Sequence, residues 1–158
     1  MKIYVASAVG KGSTKLAAFD QALLLMGAAN FNIIRLSSII PASAEILVFE
    51  DHVPPIKGQW GDKLYAVYAE QRTDAHNDEA WAGIGWCRNT EKNEGMFVEH
   101  HGKNEATVRK DIVDTLTDMK SNRNIETTDI EMKVVGGKAN GQAICALVLA
   151  AYQTVGWH

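Results

Sequence analysis

Asn30-Phe31-Asn32-Ile33-Ile34-Arg35-Leu36-Ser37-Ser38-Ile39-Ile40-Pro41 is the stretch around which the rest of the 158-residue chain is read. Asn32 to Leu36 has the composition of a short buried strand, rich in β-branched residues. Ser37-Ser38 ends it. Pro41 disfavours helix at Ile40 and keeps the following turn extended. Strand side chains alternate, so Asn32, Ile34, Leu36 and Ser38 are expected on one face. That alternation sets an amide and a hydroxyl on the same side of the backbone.

Two chemistries are open to such a strand end. Serine hydroxyls commonly satisfy nearby backbone groups, and Ser37-Ser38 fits that description. A hydroxyl next to a peptide carbonyl can also attack it. Ser38 would then attack the Ser37 carbonyl, and an amide donor such as Asn32 would stabilise the oxyanion. The product is an ester; β-elimination from it breaks the chain and leaves a pyruvoyl group made from Ser38.

Working outward, Lys2 to Val9 reads as a strand. Gly10-Lys11-Gly12-Ser13-Thr14-Lys15 follows; its glycine spacing is too short for a phosphate loop, and a glycine turn with Ser13 or Thr14 as helix cap fits better. A helix is expected from about Lys15 to Met26, with Leu16, Phe19, Leu23 and Met26 as its apolar stripe and Gly27 as its stop. Asp20 lies off that stripe, as a solvated helix carboxylate would. Ala44 to Phe49 and Leu64 to Glu70 read as strands. Asp74, His76 and Asp78 alternate in a polar turn; this is read as a solvated hairpin tip, not as a metal site.

Glu79 to Arg88 is a further strand, with Trp81, Gly83 and Gly85 on a face that allows another layer to approach closely. Gly95 to His101 is next, with Met96 and Val98 on one face and Phe97 and Glu99 on the other. A carboxylate beside aromatic surface is partly desolvated, the environment a general acid requires at neutral pH; an edge-strand glutamate facing water is the alternative. Asn104 to about Arg123 is the second helix, striped by Val108, Ile112, Leu116 and Met119. Thr127 to Val135 is a strand and Gly136-Gly137 opens a turn. Ala143 to Tyr152 is apolar at nearly every position, as in a strand buried on both faces.

Composition bounds the classes. Hydrophobic residues make up 46% and charged residues 22%, an ordinary globular balance. A net charge of −3 suggests neither a nucleic-acid nor a membrane partner. Cys87 and Cys145 lack metal-type spacing and read as reduced core residues, which points to the cytoplasm. Met1-Lys2-Ile3-Tyr4-Val5 enters a strand pattern directly, without a leader pattern. The longest apolar run falls well short of the roughly 20 residues of a membrane span. No repeat or linker interrupts the chain, so residues 1–158 are expected to form a single domain.

Leu16-Ala17-Ala18-Phe19-Asp20-Gln21-Ala22-Leu23-Leu24, then Gly27, Asn30-Phe31-Asn32 and Leu36-Ser37-Ser38-Ile39-Ile40-Pro41 resemble the pyruvoyl-dependent arginine decarboxylases. Gly95-Met96-Phe97-Val98-Glu99-His100-His101-Gly102-Lys103 is similar to that family's catalytic strand. The resemblance runs from Val5 to about Tyr152. It implies self-cleavage between Ser37 and Ser38 into a β chain, residues 1–37, and an α chain, residues 38–158, that begins with a covalently bound pyruvoyl group. It implies arginine as substrate, agmatine and carbon dioxide as products, and capture of the substrate amine as a Schiff base. No pyridoxal phosphate and no metal are expected. Glu99 is the implied proton donor and Asn32 assists cleavage. Asp20 would grip the guanidinium, from a neighbouring subunit of a trimer or a dimer of trimers. The same chemistry on another amino acid or on S-adenosylmethionine, and an unprocessed homologue acting as a structural subunit or amine-binding module, are the alternatives.

The order of elements adds a fold. Two well-separated amphipathic helices can each cover the outside of one of two packed sheets. The expected architecture is therefore an α+β four-layer αββα sandwich, which the resemblance also implies. A two-layer α+β domain is the runner-up.

Overall fold

The structure, a computed structural model, describes residues 1–158. Nine strands and two helices follow one another as β1 (Lys2–Gly12), α1 (Lys15–Leu25), β2 (Asn32–Arg35), β3 (Ile39–Ile40), β4 (Glu45–Val48), β5 (Lys63–Thr73), β6 (Glu79–Arg88), β7 (Gly95–Gly102), α2 (Glu105–Arg123), β8 (Glu131–Lys138) and β9 (Ala143–Val155). They form a five-stranded sheet of order β2-β5-β9-β1-β4 and a four-stranded sheet of order β3-β7-β6-β8. Only the short edge strands β2 and β4 pair in parallel; every other pairing is antiparallel. Helix α1 packs on β1, β9 and β5, and α2 on β6, β7 and β8. The layers are thus helix, sheet, sheet, helix.

β9 is the axis of the larger sheet. It is hydrogen-bonded to β1 on one side and β5 on the other, and Ala143 to Ala151 are all buried. Ile144, Ala146, Val148 and Ala150 face the core between the sheets; Cys145, Leu147, Leu149 and Ala151 face α1. This is the two-sided burial its unbroken apolar run requires.

The helices meet their sheets in different ways. Val108, Ile112 and Leu116 of α2 are buried against β6, where Gly83 and Gly85 leave room: a Cβ at Gly85 would lie 2.2 Å from Ile112 Cγ2. On α1 the expected stripe holds at Phe19, Leu23 and Met26 and fails at Leu16. Ala18 and Ala22 form the contact, because Gly10 lets the helix sit directly on β1; a Cβ there would be 2.0 Å from the Ala18 carbonyl. Leu23 and Met26 are buried, but Leu16 and Leu24 are 67% and 61% exposed. Thr14 caps α1, accepting the Ala17 N–H at 3.1 Å.

Three further expectations are corrected. β2 is not buried: Asn32, Ile34 and Arg35 are exposed on an edge strand that ends at Arg35 rather than Leu36. The Gly136-Gly137 pair does not turn; it lies within β8, where Gly136 lets the Trp81 ring lie over the backbone. That strand begins at Glu131, four residues later than expected.

Candidate active site

The chain leaves one sheet and joins the other between Arg35 and Ile39. The Leu36 N–H still bonds the Ala66 carbonyl, at 3.0 Å. Ser37 and Ser38 then lie outside any strand, and Ile39-Ile40 attach to the other sheet opposite Met96 and Gly95 of β7. Ser38 lies in this crossover with φ at +74°. The other non-glycine residues with positive φ are Asn77, Asn93 and Asn124, a residue type that tolerates the left-handed region. A serine there carries a cost of about 1–3 kcal/mol, which the surroundings must offset.

Three contacts supply that offset. The Ser38 hydroxyl donates a short hydrogen bond to Glu99 Oε1. The Phe97 N–H donates to the Ser38 carbonyl at 2.8 Å. The Tyr152 hydroxyl, reaching across from β9, donates to the Ile39 carbonyl at 2.9 Å. Aromatic rings back these groups. Trp86 meets Phe97 edge-to-face at 5.9 Å between centroids, and Phe97 meets Tyr152 in the same way at 6.2 Å. Burial, and the nearby Glu99 carboxylate, push the Tyr152 phenol well above its ordinary range, so it stays protonated as a donor.

Glu99 and Phe97 share the face of β7 that looks between the sheets, while Met96 and Val98 pack under α2. Alternation along β7 therefore sets the carboxylate in the sandwich interior beside Phe97, half-buried and in contact with the serine. What the arrangement can do chemically is specific. A carboxylate bonded to a hydroxyl can take its proton as the oxygen attacks.

The other expected site residues lie elsewhere in the chain. Asn32 and Ser38 do not share a strand, because β2 stops at Arg35. The Asn32 amide instead donates to the Gly61 carbonyl at 2.7 Å, a carbonyl that also accepts from the Trp157 indole. No hydrogen bond joins Asn32 to Ser38. Asp20 is exposed on α1, on the outer side of the five-stranded sheet, without an ion pair. It stands one helical turn from Leu16 and one from Leu24, both exposed. The Asp74, His76 and Asp78 turn gathers no metal-binding cluster. Asp78 accepts from Thr73 and pairs with Lys103, each at 2.8 Å, and these partners hold its carboxyl below the usual range.

Tyr152 and the Phe97 N–H went unnoticed in the sequence. The signal for Tyr152 was available: it is the one polar side chain closing an apolar run on a central strand. Two recesses of about 590 and 460 Å³ contain neither Ser38 nor Glu99; the first lies beneath residues 55–57 and the second beside Pro41.

Comparison with known proteins follows the same lines. The sequence profile described as "Pyruvoyl-dependent arginine decarboxylase (PvlArgDC)" matches residues 2–155. A Pyrococcus abyssi protein named pyruvoyl-dependent arginine decarboxylase is 40% identical over 106 residues, which cover 64% of this chain and 61% of that one. A Picrophilus torridus protein of the same name is 31% identical over 106 residues, covering 66% and 57%. A Halobacterium salinarum protein of that name is 30% identical over 158 residues, covering 96% and 93%. The matches to the first two span about three fifths of those relatives' length. With the profile match running nearly end to end, this chain belongs to the pyruvoyl-dependent arginine decarboxylase family.

Proposed function

We propose that the protein is a self-processing decarboxylase that converts arginine to agmatine and carbon dioxide. The observation that carries this reading is the Ser38 hydroxyl bonded to Glu99 while Ser38 itself is in the left-handed region. Glu99 takes the hydroxyl proton as Ser38 Oγ bonds to the Ser37 carbonyl carbon. The C–N bond to Ser38 breaks and its nitrogen takes up a proton, leaving an ester. Loss of the Ser38 Cα proton and rupture of the Cβ–Oγ bond release Ser37 as a carboxylate. The resulting dehydroalanine tautomerises to an imine, and water replaces its nitrogen, which departs as ammonia. The downstream chain then begins with a pyruvoyl group.

The residues present fit that group. The Phe97 N–H already holds the Ser38 carbonyl, which becomes the amide carbonyl next to the ketone, and Glu99 lies beside it. The pyruvoyl group supplies a ketone that captures an amine and a conjugated system that accepts the electron pair as carbon dioxide leaves. The Phe97 N–H donates to the oxygen where negative charge accumulates. Glu99 then delivers a proton to the substrate's α-carbon. Arginine as substrate is supported by the relatives' names and by Asp20, a carboxylate suited to paired hydrogen bonds with a guanidinium. Asp20 lies outside the Ser38–Glu99 site of its own chain, so it serves the site of a neighbouring subunit in a trimer or pair of trimers. Asn32 assists cleavage, a role that rests on the family resemblance; in this chain its amide donates to the Gly61 carbonyl. No metal or pyridoxal phosphate takes part, and the protein works in the cytoplasm.

The mass of the denatured protein tests this. Two species that divide the 17.3 kDa chain between residues 1–37 and 38–158, the larger one lighter than its serine form by ammonia, are expected. A single species at 17.3 kDa returns the protein to an unprocessed subunit or amine-binding module.

A further inference from the structure

The contacts around Ser38 are unequal in what they can hold during the reaction. The bond to Glu99 runs through Oγ, the atom that reacts, so it changes as soon as attack begins. The two backbone anchors do not. Phe97 N–H fixes the Ser38 carbonyl and the Tyr152 hydroxyl fixes the Ile39 carbonyl, so the two successive peptide units that follow Ser38 are both pinned. Of the two, only Tyr152 comes from the other sheet. It links the end of β9, buried through Ala151, to β3, a strand of two residues whose Ile39 is 52% exposed. β3 meets β7 through just two residue pairs. A strand that short relaxes readily, and a serine at φ +74° has reason to relax.

We propose that Tyr152 is a positioning residue for self-cleavage: its hydroxyl clamps the Ile39 carbonyl and so holds Ser38 in the left-handed conformation from which Oγ attacks the Ser37 carbonyl. This rests on the self-processing reading above. The edge-to-face contact with Phe97 fixes the ring, and the hydroxyl spans the gap between the sheets. Phenylalanine at 152 keeps the ring packing and removes only the donor.

The experiment follows chain splitting over time, by mass, in the full-length wild-type protein and in Tyr152→Phe, with and without hydroxylamine. Hydroxylamine cleaves the ester, giving a hydroxamate on Ser37 and a free amine on Ser38. If Tyr152 acts on attack, Tyr152→Phe splits roughly tenfold more slowly, the loss of one neutral hydrogen bond, and hydroxylamine does not restore the wild-type rate. Splitting at the wild-type rate overturns the proposal. So does a slow variant that hydroxylamine rescues, since elimination rather than attack would then be impaired. Melting of Ser38→Ala with and without Tyr152→Phe separates fold from positioning: a small shift in midpoint beside a large change in rate is expected, whereas a large shift that accounts for the slower splitting overturns a positioning role. Failure of the wild type to split would remove the self-processing reading itself, whereas unimpaired splitting of Tyr152→Phe removes only the clamp.

Discussion

β9 and the segment from Leu36 to Ile40 are both made largely of apolar residues, yet they behave as opposites. β9 runs for 13 residues, pairs on both edges and is buried for most of its length. The crossover segment pairs through two residues, exposes Ser37 and Ile39, and holds Ser38 at positive φ. The difference teaches where strain can be kept. A left-handed serine persists only where neighbours over-determine it, and here one of those neighbours, Tyr152, is part of β9 itself. The stable strand and the strained segment share one core, through Leu36 and Ile40, and one hydrogen bond, through the Tyr152 phenol.

The largest expected effect breaks the comparison at its reactive end. Ser38→Ala removes the attacking oxygen and abolishes splitting, so the chain stays whole at 17.3 kDa by mass; any splitting at this bond would refute attack by Ser38. Glu99→Gln keeps a hydrogen-bond acceptor beside Ser38 but takes away the base. Splitting is expected to slow by roughly 10²–10⁴, the usual contribution of a positioned general base, in the same mass time course. At the stable end, Leu147→Ala empties a fully buried position of β9 beneath α1. In the Ser38→Ala background, which keeps the chain in one piece, denaturant melting should register a loss of about 3 kcal/mol. A loss below 1 kcal/mol would mean that β9 is not the rigid member of the pair.

The same contrast separates what the sequence made legible from what it did not. β9 and α2 were readable because burial by itself fixes their patterns: two apolar faces in one, a Val108, Ile112 and Leu116 stripe in the other. The helix order then made the αββα layering readable. α1 was legible at Phe19, Leu23 and Met26 but not at Ala18 and Ala22, which bring it onto Gly10, because closeness of approach leaves no trace in hydrophobic periodicity. Its exposed Leu16 looks like a core residue in a one-dimensional pattern. At the site, alternation alone set Glu99 beside Phe97. The Ser38–Glu99 contact was not legible, since it depends on the chain changing sheets after Arg35. Period-two reasoning carried the strand through to Ser38 and put Asn32 on the same face; the edge strand had already ended, and Asn32 had turned to Gly61.

The smallest expected effect locates the strain. Ser38→Gly and Ser38→Ala both lack the hydroxyl, so neither chain splits and both lose the bond to Glu99. They differ in backbone alone. Glycine relieves a φ of +74° that alanine must still endure, a gain of about 1–3 kcal/mol. Glycine also frees the unfolded chain, which costs about 0.4–1 kcal/mol in the other direction. The net expectation is a glycine variant more stable by about 1 kcal/mol in denaturant melts, against the ordinary ranking of the two residues in a strand or helix. If the alanine variant is the more stable, Ser38 is not strained in the folded chain, and the clamp formed by Phe97 and Tyr152 has nothing to hold.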